Sequence, residues 1–177
     1  MIRGYVRKGK ITVRHTARVL TVAVLGRKKS GKTTIIEGLV EGLTKRGCRV
    51  AVLKHIHHDD FDVDVPGKDT WRAFRSGSVA VVGASSAKAF IETRGPIRLR
   101  DLVRAVEELT SPDIVLLEGF SGEIGELDDV RVISLGGREF SGKLLCECSG
   151  PDDGERALRA VMDLIEGCAG AAGAGSD

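Results

Sequence analysis

Apolar positions along the chain keep two spacings, unbroken short runs and a helical i, i+3, i+4 repeat, and the two take turns. Residues 19–25 are an apolar run read as a first core strand. Residues 33–45 follow with Ile35, Ile36, Leu39, Val40 and Leu43 on one helical face, stopped by Gly47. Residues 49–53 read as a second core strand, apolar enough for burial on both faces. After a polar loop over 55–68, Asp69 is expected to cap a short helix over 70–75 before Gly77. Strands are expected at 78–82 and 87–91, split by Gly83-Ala84-Ser85-Ser86. Pro96 opens a helix through Leu109 with Leu99, Leu102, Val103 and Val106 inward. A buried strand over 113–117 ends in Glu118-Gly119, and strands follow at 130–135 and 144–148. An amphipathic helix over 152–165 closes the series with Leu158, Val161, Leu164 and Ile165. Alternating strands and helices predict an α/β, three-layer sandwich with a mostly parallel sheet.

The first strand runs into Gly26-Arg27-Lys28-Lys29-Ser30-Gly31-Lys32-Thr33, which matches G-x-x-x-x-G-K-[ST] with a strand before it and a helix after it. That context makes the fold P-loop NTPase-like. Backbone N–H groups of such a loop point inward at phosphate oxygens, and the helix N-terminus adds its positive end. Gly26, Lys29, Ser30, Gly31, Lys32, Thr33 and Thr34 are the binding candidates, with Lys32 reaching the β/γ-phosphates and the Thr33 hydroxyl on Mg²⁺. The run 114–118 has the form of the second phosphate-loop strand, an apolar segment delivering the Glu118 carboxylate to the same edge. Gly137-x-x-x-x-Gly142-Lys143-Leu144 imitates the first motif, but Leu144 cannot ligand Mg²⁺ and a strand follows it.

At 177 residues the core fits one domain, over 19–168, with a basic extension at 1–18 and an Ala/Gly-rich tail at 169–177 expected to be disordered. The extension reads as a short hairpin across Lys8-Gly9-Lys10, as a mobile lead, or as a start placed upstream of the true one. No apolar run approaches the roughly 18 residues of a membrane span, and no signal-peptide core is seen. Four cysteines make no disulfide framework, and a cytoplasmic setting is expected. Cys146-x-Cys148 reads as strand alternation rather than half a metal site.

Residues 1–36 hold ten lysines and arginines and no acid, leaving 17 basic against 25 acidic residues in the remainder. This suits an anionic ligand near the loop. With aromatics at 4%, nothing supports base stacking, so nucleic acid is not the expected partner. The chain has no Asn and no Gln. It therefore lacks the Gln that positions water in many GTPases and the Asn of an N-K-x-D guanine reader, and fast self-contained hydrolysis is not expected. The same gap, with 29% charged residues, fits a heat-loving source.

The loop after the second strand, Lys54 to Thr70, holds His55, His57 and His58 and five carboxylates, among them Asp64 and Asp69. Parallel topology brings it to the phosphate-loop edge. Three readings stay open: a metal site, a switch segment whose Lys54, His55 and Asp64 meet phosphate and Mg²⁺, or a solvated loop. Lys68, Asp69, Arg72 and Arg75 offer a clamp for a second anion, and Trp71 a stacking or packing ring.

Four segments in order, the phosphate loop with Thr34, Lys54-His55-Ile56-His57-His58, Asp64-Val65-Pro66-Gly67-Lys68-Asp69-Thr70 and Val115-Leu116-Leu117-Glu118-Gly119-Phe120, resemble the molybdopterin-guanine dinucleotide biosynthesis protein B (MobB) family over residues 19–133. The K-H-x-H-H and D-x-P-G-K-D-[ST] runs are the specific ones. The resemblance implies a GTP-binding, Mg²⁺-dependent accessory factor with weak GTPase activity, commonly a homodimer. Such a factor assists the MobA-type guanylyltransferase that joins GMP to molybdopterin. It implies GTP at Gly31, Lys32, Thr33 and Thr34, Mg²⁺ at Thr33 and Glu118, and a nucleotide or pterin site shaped by His55, Asp64, Lys68 and Asp69. The alternatives are a nickel-chaperone-like metal-insertion GTPase carrying its ion on His55, His57 and His58, and a small-molecule kinase with Arg94, Arg98, Arg100 and Arg104 as lid candidates.

Overall fold

The computed structural model describes residues 3–7, 10–14, 19–58, 61–136 and 139–173. In chain order the elements are β1 (Arg3–Arg7), β2 (Lys10–Arg14), β3 (Leu20–Gly26), α1 (Lys32–Lys45), β4 (Val50–Lys54), α2 (Asp69–Arg75), β5 (Ala80–Ala84), β6 (Ala89–Thr93), α3 (Leu99–Thr110), β7 (Ile114–Glu118), β8 (Val130–Leu135), β9 (Lys143–Glu147) and α4 (Gly154–Gly173). The chain divides into two compact units, residues 1–55 with 98–177, and residues 56–97. The sequence, read as one domain over 19–168, does not draw that division.

In the first unit five strands in the order β4-β7-β3-β8-β9 pair in parallel throughout. β3 is central, and its neighbours bury it completely apart from its last residue. Alternation sorts the two faces. Val22, Val24, Ile114, Leu116, Ile133 and Leu135 join Ile35, Leu39 and Leu43 of α1 and Leu158, Val161 and Ile165 of α4. Ala23, Leu25, Val115, Leu117, Val130 and Val132 join Leu99 and Val103 of α3 on the other side. Helices on both faces of a parallel sheet give the expected three-layer sandwich. Gly42 allows α1 and α4 to meet closely, since a Cβ there would stand 2.4 Å from Leu158 Cδ2. Gly47 closes α1 with φ +87, and the following Cys48 N–H returns to the Leu43 carbonyl.

Several expectations change. β4 is an edge strand with only β7 beside it, and it is not buried on both faces: Val52 is 45% exposed. Asp69 does not cap α2. Lys68 holds the cap position without a side-chain bond, and Asp69, the first helical residue, pairs with Arg72 at 2.7 Å. α3 begins at Leu99, three residues past Pro96. α4 continues as helix to Gly173, through the start of the expected disordered tail, on alanines that favour helix; residues 174–177 lie outside the described residues.

β1 and β2 pair antiparallel with Arg7 opposite Lys10, as a hairpin reading requires. The second unit carries α2 and a separate antiparallel ribbon of β5 and β6. Its strands lie two residues later than expected. Gly83 sits inside β5 under the Phe90 ring, where a Cβ would come within 2.2 Å of Cε1. The turn moves to 85–88, where Ser85 N–H donates to the Lys88 carbonyl at 2.8 Å and its Oγ accepts from the Ala87 and Lys88 amides. Among the described residues no helix is long and apolar enough to cross a membrane.

Candidate functional site

The loop between β3 and α1 is built on positions that refuse side chains. A Cβ on Gly26 would stand 2.6 Å from Ser30 Oγ and 2.9 Å from Leu135 Cβ. Gly31 has φ +94, and a Cβ there would meet Pro151 Cδ at 2.8 Å and Pro151 N at 3.0 Å. Lys29 also takes a positive φ, +63, which a non-glycine residue adopts at a cost. These torsions turn the backbone back on itself ahead of α1. Ser30 Oγ is buried without a hydrogen-bond partner, a polar atom that an anion in the loop would satisfy. Lys32 Nζ donates to the Gly26 carbonyl at 3.0 Å and the Arg27 carbonyl at 2.7 Å, which holds the ammonium inside the curl. Thr33 and Thr34, in the first turn of α1, are exposed.

Across the sheet edge, Thr33 Oγ1 donates to Glu118 Oε1 at 2.8 Å. Glu118 ends β7 and is only 7% exposed. Its carbonyl accepts from the His55 amide at 2.9 Å, so the start of the loop after β4 is fixed to the end of β7. The His55 ring lies 5.2 Å from that of Phe120, and its Nε2 stands 3.8 Å from Glu123 Oε1. Gly119 and Phe120 follow Glu118 with φ +86 and +62, and the second is strain on a bulky residue of the kind that gathers at functional sites. A cleft lined by Gly26, Ser121, Ser134, Glu139 and Phe140 adjoins the first residue of the loop.

Residues 21–133 match the family described as Molybdopterin guanine dinucleotide synthesis protein B, and the match takes in the loop, Glu118 and His55 together. The chain belongs to the MobB family. It is 40% identical over 104 residues to a Haemophilus influenzae protein named Molybdopterin-guanine dinucleotide biosynthesis adapter protein, covering 58% of this chain and 57% of that one. An Escherichia coli protein of the same name is 35% identical over 98 residues, 53% and 55% of the two chains. The chain thus spans little more than half the length of these curated relatives. A crystal structure of molybdopterin-guanine biosynthesis protein B superposes with TM-score 0.57 at 28% identity, over 83% of this chain and 99% of that one. Bacillus subtilis MobB, at 22% identity and TM-score 0.54 over 80% and 97%, shows the shared fold. The P-loop fold of MobB implies nucleotide binding.

Of the residues expected in the site, this MobB chain brings Gly26, Lys29, Ser30, Gly31, Lys32, Thr33, Thr34, His55 and Glu118 to one unit and one sheet edge. Asp64, Lys68 and Asp69 belong to the second unit. There Asp64 Oδ1 accepts from the Val65 amide at 2.7 Å, and its buried Oδ2 has no partner; neither does the buried Trp71 Nε1. Lys68 and Asp69 are exposed. Arg75 lies over the Trp71 ring, 5.3 Å from its centroid, and reaches Asp62. His57 and His58 are exposed, and no group of three or more His, Cys, Asp or Glu suited to a metal occurs among the described residues. Three of the four arginines considered for a kinase lid are engaged: Arg94 with the Phe74 and Ser78 carbonyls, Arg98 with Asp101, and Arg100 with the Glu126 carbonyl. Phe120 and Glu123 as partners of His55, and Pro151 as the wall behind Gly31, were not assigned from sequence. Only the aromatic in Glu118-Gly119-Phe120 hinted at the first.

Proposed function

We propose that this chain is a GTP-binding adapter of molybdopterin-guanine dinucleotide formation, holding Mg²⁺-GTP at the loop and assisting a MobA-type guanylyltransferase that joins GMP to molybdopterin. The observation that carries the reading is the Thr33–Glu118 hydrogen bond, which couples the loop to the acidic strand end inside the segment matched to the family. Gly31, Lys32, Thr33 and Thr34 bind the phosphates, and the Ser30 hydroxyl supplies a further donor.

A neutral hydroxyl and a carboxylate 2.8 Å apart are hard oxygen donors that fit Mg²⁺. Thr33 and Glu118 would hold it, and bound there it neutralises charge on the β- and γ-phosphates. Turnover is slow at most, since the chain has no Gln to orient a water. His55 contacts nucleotide or pterin.

The adapter works as a homodimer in a cytoplasmic setting. Support for the dimer comes from the β5–β6 ribbon, whose paired Val82 and Ile91 are 59% and 53% exposed. A two-stranded ribbon is marginal alone and gains from a covering surface such as a second copy.

Native mass spectrometry with equimolar GTP and ATP and excess Mg²⁺ tests the reading. A dimer carrying GTP, with the adduct lost in Lys32→Ala while the fold survives, is the expected result. An ATP adduct, or a bound Ni or Zn ion, overturns it.

A further inference from the structure

One oxygen of Glu118 has two partners. Thr33 Oγ1 donates to Oε1 at 2.8 Å, and Lys54 Nζ stands 3.1 Å from the same atom. Register explains the second contact, since Lys54 and Glu118 end β4 and β7 as direct neighbours in the parallel ladder. The two side chains differ in freedom. The Glu118 side chain is 9% exposed and that of Lys54 52%. A buried carboxylate needs a compensating cation, and the lysine supplies it from the solvent side.

The Thr33 hydroxyl gives its proton to Glu118, so its lone pairs remain open toward a metal. That bond is compatible with Mg²⁺ at Thr33. The lysine contact is not, because an ammonium and a hydrated dication would crowd one oxygen and repel each other at close range. Lys54 has a flexible four-carbon stem and strongly hydrated head, suited to moving between anions. Its backbone stays put while it does so, as the adjacent His55 amide is bonded to the Glu118 carbonyl.

We propose that Lys54 is the residue that reads the terminal phosphate: its ammonium exchanges between Glu118 Oε1 and the γ-phosphate of a bound triphosphate, leaving the carboxylate to Mg²⁺. This rests on the reading of the loop as a triphosphate site. Each anion keeps one cation through the exchange. A diphosphate offers no group at the receiving position, so the exchange favours triphosphate.

The test is nucleotide binding by the full chain across a Mg²⁺ titration, comparing GTP with GDP. Lys54→Met keeps most of the stem and drops the charge. Loss of one charge-assisted contact should weaken GTP about tenfold while GDP changes by less than about twofold. The Mg²⁺ needed for half-saturation should fall about threefold, because no ammonium competes for Glu118. Lys54→Arg should recover most of the preference for GTP. Equal losses for GTP and GDP, or a Mg²⁺ midpoint that stays or rises, overturn the proposal; if Lys54→Met does not fold, an unchanged nucleotide preference in Lys54→Ala does the same. GTP binding undiminished in Lys32→Ala instead overturns the loop reading, and this inference with it.

Discussion

Gly31→Ala separates the phosphate loop from any other glycine-rich turn. At φ +94 an alanine pays about 1–2 kcal/mol for the left-handed conformation. Its methyl would also meet Pro151 Cδ at 2.8 Å and N at 3.0 Å, ring and backbone atoms that cannot rotate away. Overpacking of that kind costs about 1–3 kcal/mol. If the loop holds its shape, the two add to about 2–5 kcal/mol, a melting temperature lower by about 4–20 °C for a chain of this size. If the loop gives way, the cost moves into binding, because the inward N–H groups lose their common target. Thermal melts and fluorescent GTP titrations on the same preparation catch both outcomes. Gly67→Ala is the control, at φ +84 with nothing within 4 Å of the added Cβ, and should show only the torsional part. A Gly31→Ala chain melting within about 1 °C of the parent and binding GTP within about twofold would refute the reasoning, since about 2 kcal/mol must surface somewhere.

Glu118→Ala should weaken the Mg²⁺ dependence of nucleotide binding more than binding without metal, measured with and without a chelator; equal losses would remove Glu118 from the metal site. Gly38→Ala, inside α1 with nothing within 4 Å, should raise stability by about 0.4–1 kcal/mol in denaturant melts, and a fall would reveal a backbone role for that glycine. Burial first, then the adjacent Cys148, pushes the Cys146 thiol up to about 12, and burial first, then Asp113, pushes Cys48 to about 11. Deprotonation therefore lies above pH 8, and iodoacetamide at pH 8, mapped by mass spectrometry, should label both only after unfolding. Prompt labelling of Cys146 in the native chain would contradict that burial.

The phosphate loop, α1 and the central strands were legible because one signal sufficed for each: a dense apolar run, a 3.6-residue stripe, a motif in its required context. β4 was legible as a strand but not as an edge, since residues 50–53 are apolar whichever neighbours they find, and Val52 shows its exposure only in the assembled sheet. Gly83 looks like a turn residue in sequence; the Phe90 ring opposite makes it a strand residue. Asp69 has the chemistry of a cap, yet it finds Arg72 one turn on and leaves the cap position to Lys68. In the site, Thr33 and Glu118 were each legible as half of a pair. That Lys54 shares the same carboxylate oxygen depends on the register of β4 against β7, and the Phe120 and Glu123 neighbours of His55 on the turn after Glu118. Such partners have no spacing in sequence to give them away.

The family match ends at residue 133, inside β8, while the layer over Val24, Ile35 and Leu39 is completed by Leu135, Cys148, Leu158, Val161 and Ile165. The stretch that carries the inherited likeness is therefore shorter than the stretch that must fold. A chain cut at the end of the match would keep the phosphate loop and its acidic partner, yet lose α4 and β9, leaving α1 to cover that face of the central strand without them. The later segment contributes shelter more than chemistry, a role many different amphipathic sequences could fill, whereas Thr33 and Glu118 have few substitutes.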